Sequence, residues 1–104
     1  MDKNFSIDYD SPDLKIRVSG TLGVASANQL LDELKGYSAE EIKNIIFYFN
    51  DLEYIASSGL RVLIYSKQKV APDSRLYVIK PNEMVLEVLQ MTGLTDHINI
   101  QDEY

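Results

Sequence analysis

The chain has 104 residues, 45% hydrophobic and 25% charged, with a formal net charge of -6, which fits one soluble globular domain spanning 1–104 with a modest core. An acidic balance argues against nucleic-acid binding, because phosphate contacts need clustered Lys and Arg. With no cysteine, disulfides, thiolate catalysis and cysteine metal sites are excluded.

From Met1 to Asp10 the chain carries Asp2, Lys3, Asp8 and Asp10 and has no apolar centre, so it does not read as a signal peptide. No apolar run approaches the ~20 residues that span a bilayer, so a cytoplasmic protein without a membrane partner is expected. Phe5, Ile7 and Tyr9 alternate with polar residues, as do Leu14, Ile16 and Val18; two half-buried strands around the turn Asp10-Ser11-Pro12-Asp13 follow, the second ending at Gly20. After Ser26, the residues Ala27, Leu30, Leu31 and Leu34 fall on one helical face, and Gly36 or Tyr37-Ser38 closes that helix. The continuous run Ile45 to Phe49 reads as a strand covered on both faces, ended by Asn50-Asp51. A second helix is predicted from about Ser58 to Val70, stopped by Ala71-Pro72-Asp73. Leu76 to Ile79 form another buried strand. Pro81 suits the first turn of a third helix, whose stripe is Val85, Val88 and Leu89 and whose C-terminal cap is Gly93. Ile98 and Ile100 add a short edge strand or final turn. The order β-β-α-β-α-β-α predicts an α/β fold, a mixed β-sheet with helices packed on it.

Little in this pattern supports enzyme chemistry. Ser57 has Ile55, not glycine, two positions before it, so the nucleophile-elbow spacing fails. The single histidine, His97, reads as a surface residue near the end of the chain and not as the base a serine nucleophile requires. One His and no Cys leave no metal site, and the scattered glycines form no phosphate-cradling loop, so neither a metal nor a cofactor is expected. The pair Ser57-Ser58 has two compatible readings. Either serine is expected to be the N-cap of the second helix, and the same helix start suits a phosphoserine, because its free N–H groups and partial positive charge accommodate a phosphate.

Ile55-Ala56-Ser57-Ser58-Gly59-Leu60-Arg61-Val62-Leu63 after an apolar strand, Glu87-Val88-Leu89-Gln90-Met91-Thr92-Gly93-Leu94 near the end, and Gly20-Thr21-Leu22 before a leucine-rich helix together resemble the STAS domain, in particular the stand-alone anti-sigma factor antagonists of bacteria. The resemblance covers nearly the whole chain. It implies a STAS-like fold and a non-enzymatic partner switch in transcription regulation. Such a protein binds an anti-sigma factor that is also a GHKL-type serine kinase, is released when phosphorylated, and is reset by a PP2C-type phosphatase. Carried over, the phosphoacceptor is Ser57, with Ser58 the neighbouring hydroxyl. The implied docking residues are Gly23, Val24, Ser26, Ala56, Ser58, Gly59, Arg61 and Val62. Three positions depart from the family pattern: Ala56 and Gly23 stand where the family has aspartate, and Tyr48 where it often has Asp or Asn. The alternative implied by those departures is a degenerate STAS module that binds a partner constitutively, without phosphoregulation.

Overall fold

In chain order, the computed structural model, which describes residues 4–37, 41–70 and 73–104, contains β1 (Phe5–Asp10), β2 (Asp13–Leu22), α1 (Val24–Leu34), β3 (Asn44–Ile55), α2 (Ser57–Tyr65), β4 (Arg75–Ile79), α3 (Glu83–Met91) and β5 (Asn99–Gln101). A π-helical turn, Ser66–Val70, continues α2, and a 3-10 turn, Leu94–Asp96, precedes β5. The strands form one mixed sheet in the order β1-β2-β3-β4-β5. β1 and β2 are an antiparallel hairpin, and β2 through β5 run parallel. Each parallel step moves the same way across the sheet, so right-handed crossovers place α1, α2 and α3 on one face. The predicted element order and mixed sheet are therefore observed, with Ile100 on the short edge strand β5.

The core lies between that face and the helices. Leu14, Ile16 and Val18 of β2, Ile45, Phe47 and Phe49 of β3, and Leu76 and Val78 of β4 are buried there against Ala27, Leu30, Leu34, Val62, Leu63, Val85 and Leu89. The opposite face carries no helix among the described residues. Across it run the register rows Lys15, Ile46, Tyr77, Asn99 and Arg17, Tyr48, Ile79, Gln101. Ile46 and Ile79 are nevertheless buried. Tyrosines are their register neighbours, Tyr77 beside Ile46 and Tyr48 beside Ile79; the Tyr104 ring sits 5.0 Å from that of Tyr77, and its hydroxyl donates to Asp13 Oδ1 at 3.0 Å. Tyr104 thus reaches from β4 to the start of β2, over the strand between them. The Arg17 guanidinium lies 4.5 Å from the centre of the Tyr48 ring, a cation–π contact.

Several boundaries differ from the sequence reading. β2 does not end at Gly20 but passes through it in the left-handed region, φ +65°, to Leu22. β3 does not end at Asn50-Asp51. Two register slips against β2, between Arg17 and Ser19 and between Gly20 and Thr21, insert extra residues in β3 and let the strand continue to Ile55. α1 begins at Val24, before Ser26, with Gly23 as N-cap, and it ends at Leu34. Pro81 lies outside α3, whose N-cap is Asn82. Gly93 occupies the expected position after α3, in the left-handed conformation at φ +76°. Ser38 and the proposed helix stop Ala71-Pro72 lie outside the described residues.

Candidate functional site

Two neighbouring parallel strands end level with each other, and each delivers a helix. Leu22 of β2 pairs with Ile55 of β3, and the Ala56 N–H donates to the Leu22 carbonyl at 3.0 Å. Gly23 then caps α1 and Ala56 caps α2. The two helix N-termini therefore lie side by side at one end of the sheet. Neither has an acidic residue in its first turn, so their partial positive charges are not offset locally.

The N-cap expected at Ser57 or Ser58 is in fact Ala56. Its backbone is extended (φ -88°, ψ 172°), and its carbonyl accepts from Gly59 N–H at 2.9 Å and Leu60 N–H at 3.1 Å. Packing sets this start. A Cβ on Gly59 would lie 2.7 Å from the Leu22 carbonyl oxygen and 2.7 Å from Ile55 Cγ1, so only glycine allows the first turn of α2 to sit this close to β2. Because Gly59 must be the residue at that contact, the cap falls at Ala56, one residue before Ser57 and two before Ser58. Alanine supplies no side-chain acceptor, and no side-chain cap bond is made.

The two serines consequently have different environments. Ser57, the first helical residue, is exposed. Ser58 is half-buried, and its Oγ is buried without a hydrogen-bond partner among the described residues. Arg61 is exposed one turn after Ser57, on the same helix face. Val62 is fully buried in the core and Gly59 is buried; both shape the face from behind and neither offers it a side chain.

On the α1 side, Val24 is 68% exposed. Ser26 is half-buried, and its Oγ accepts from Gly23 N–H at 3.1 Å and donates to the Thr21 carbonyl at 3.2 Å. It holds the turn into α1 in place. An open cleft beside it is lined by Thr21, Gly23, Val24 and Gln29. Tyr48 is not at this site: it lies on the helix-free face, seven residues before Ile55, roughly 20 Å along the strand.

Three further residues at this end were missed by sequence reasoning. Asn82 accepts from Val85 N–H at 2.8 Å and donates to the carbonyls of Leu52 and Glu53, both at 3.1 Å. It caps α3 and ties that helix start to the far end of β3. Asn82 directly before a helical pattern was a usable capping signal. Tyr54 and Met84 are 48% and 54% exposed and add apolar surface at this end. For Tyr54 the slips in β3 disrupt the alternation that would have told inward from outward; Met84 lies in the first turn of α3, off the Val85, Val88 and Leu89 stripe.

Fold and site together define an α/β domain whose parallel strands present helix starts, and an exposed serine, at one end. The STAS domain family model matches residues 5–104, and the chain belongs to that family. Among solved structures it is similar to the anti-sigma factor antagonist SpoIIAA in its unphosphorylated form, with 19% identity and a TM-score of 0.75 over 96% of this chain and 89% of that one. It is also similar to an anti-sigma factor antagonist from Mycobacterium paratuberculosis (16% identity, TM-score 0.79, 93% and 83% covered). A third is the Bacillus cell fate determinant SpoIIAA in the phosphorylated form (21% identity, TM-score 0.73, 92% and 89% covered). No curated protein matches the chain in sequence. No helix among the described residues is long and apolar enough to cross a membrane.

Proposed function

We propose that this protein is an anti-sigma factor antagonist, a cytoplasmic regulatory protein and not an enzyme, whose docking face is switched by phosphorylation of Ser57. The observation that carries this reading is the contrast within the serine pair: Ser57 is exposed at the start of α2, whereas Ser58 Oγ is enclosed. Its partner is an anti-sigma factor that is also a GHKL-type serine kinase. The Ser57 oxygen attacks the γ-phosphorus of the kinase's ATP, the bond to the β-phosphate breaks, ADP leaves, and the hydroxyl proton passes to a base. Ala56 carries no carboxylate, so that base belongs to the kinase. The phosphoryl group adds about -1.5 to -2 charges beside two helix N-termini and within a turn of Arg61, where it is tolerated without refolding. It disrupts docking by placing charge among Val24, Tyr54 and Met84. A PP2C-type phosphatase returns the chain to its binding form. The SpoIIAA structures in unphosphorylated and phosphorylated forms, which share this fold, support the reading.

The test is kinase labelling with the partner kinase and ATP, mapped by mass spectrometry. Phosphate is expected on Ser57, lost in Ser57→Ala and kept in Ser58→Ala. Ser57→Asp is expected to weaken partner binding at least tenfold, about 1.4 kcal/mol. Ala56 favours a second reading, a module that binds its partner constitutively. Unlabelled Ser57 together with unchanged affinity of Ser57→Asp would establish that one instead.

A further inference from the structure

A second site lies at the other end of α2. A cleft of about 190 Å³ opens where α2 and its π-helical turn face the 3-10 turn and the entry to β5. Its floor is Leu63, Leu76 and Ile98, all buried, and its walls are Ile64 and Leu94. Water on such a floor finds few hydrogen-bond partners. A cavity of about 150 Å³ with similar walls accepts a benzene molecule, so this cleft has room for one ring or a short acyl chain.

The rim is polar, formed by Lys67, Gln68 and His97, and Lys67 is its one formal charge among the described residues. Among the described residues no acidic side chain lines it, in a chain with 16 acidic side chains and 10 Lys and Arg. Lys67 is held in place: its Nζ donates to the Ser74 carbonyl at 2.6 Å. An ammonium has three protons, so two remain for another acceptor. The His97 ring makes no hydrogen bond among the described residues and is exposed. Lys67 lies in the π-helical turn Ser66–Val70, a departure from α geometry that occurs frequently at functional sites. Ser66, at the start of that turn, is fully buried and its hydroxyl donates to the Val62 carbonyl at 2.8 Å.

We infer that this cleft binds a small amphipathic carboxylate, with its apolar body on Leu63, Leu76 and Ile98 and its head group on Lys67 and His97. The inference is independent of the Ser57 reading, and either can fail without the other. The experiment is a two-dimensional amide NMR titration of the full chain with hexanoate, hexanol and hexylamine. Saturable shifts are expected at Leu63, Ile64, Lys67, Leu94 and Ile98, with hexanoate binding at least tenfold more tightly than hexylamine and more tightly than hexanol. Leu94→Trp, which fills the cleft from its wall, is expected to abolish them. Lys67→Gln is expected to remove the preference for the carboxylate. Should that variant not fold, His97→Gln serves, since its side chain holds nothing in place, and it is expected to narrow the preference. Absence of saturable shifts at millimolar hexanoate, shifts scattered over the surface, or equal affinity for the three probes would overturn the assignment.

Discussion

The carbonyl oxygen of Leu22 lies 2.7 Å from the point a Cβ on Gly59 would occupy. This contact joins the end of β2 to the first turn of α2 and sets where the helix starts. Gly59→Ala must push backbone aside, since the obstacle is a carbonyl and not the tip of a flexible side chain. A loss of about 1–3 kcal/mol is expected in chemical denaturation. Gly23→Ala is the control: its Cβ would meet Thr21 Cγ2 at an ordinary 3.6 Å, and a loss of no more than about 1 kcal/mol is expected from poorer capping.

Ser58→Ala is expected to stabilise the fold. The hydroxyl is enclosed and has no partner among the described residues, a cost in the folded state that its removal relieves, and alanine is the better helix former. A gain of about 1 kcal/mol in the denaturation midpoint analysis is expected. A loss of similar size would show that the hydroxyl has a partner.

Asn82 has two separable jobs. Asn82→Ala removes both the cap on Val85 N–H and the bonds to the Leu52 and Glu53 carbonyls, with an expected cost of about 2 kcal/mol. Asn82→Ser keeps a good cap but cannot reach across, and about half that loss is expected. Hydrogen exchange at Leu52 to Ile55 should quicken in both variants.

Tyr104 is pushed from 10.0 up to about 12, by burial of its hydroxyl and then by the hydrogen bond to Asp13 and the charge of that carboxylate. A raised value means the folded state keeps a proton that the unfolded chain gives up earlier. The stability this contributes is complete below pH 10 and is lost as pH rises from 10 towards 12. Tyr104 is 47% exposed, so solvent screening keeps the effect small. Comparison of Tyr104→Phe with the parent chain should show the parent losing its advantage across that window. Asp13→Asn should bring the phenol titration, followed at 295 nm, back towards 10.

The apolar pattern carried most of the fold. The alternation in β1 and β2, the run Ile45 to Phe49 and the spacing Ala27, Leu30, Leu34 each correspond to an observed element, because burial decided those positions. The pattern failed where geometry departs from a fixed period. In β3 the buried residues after Phe49 are Leu52 and Ile55, three apart instead of two, so Asn50-Asp51 looked like a terminus. Serine chemistry suggested a cap at Ser57 or Ser58, but the contact of Gly59 with Leu22 outweighed it, and no local rule reports a contact between residues this far apart in the chain. Val62 belongs to the docking residues implied at the start of the second helix, yet the helix turns its side chain to the core. The helix-free face with its tyrosines was invisible for the same reason: Tyr104 and Asp13 meet only in the folded chain.

Ten residues of β2 stand against twelve of β3, and the surplus is absorbed one residue at a time at the two slips. Each slip exchanges the inner and outer faces of β3, and the second undoes the exchange made by the first. Length variation here is therefore constrained by parity. Removing one residue between Phe49 and Ile55 would leave Ile55 facing solvent or drag Ser57 out of line with Gly23. Removing two can leave both in place. Among relatives of this chain, gaps within this segment should occur in pairs, and a homologue with a single-residue gap should show a compensating insertion before the α2 serine.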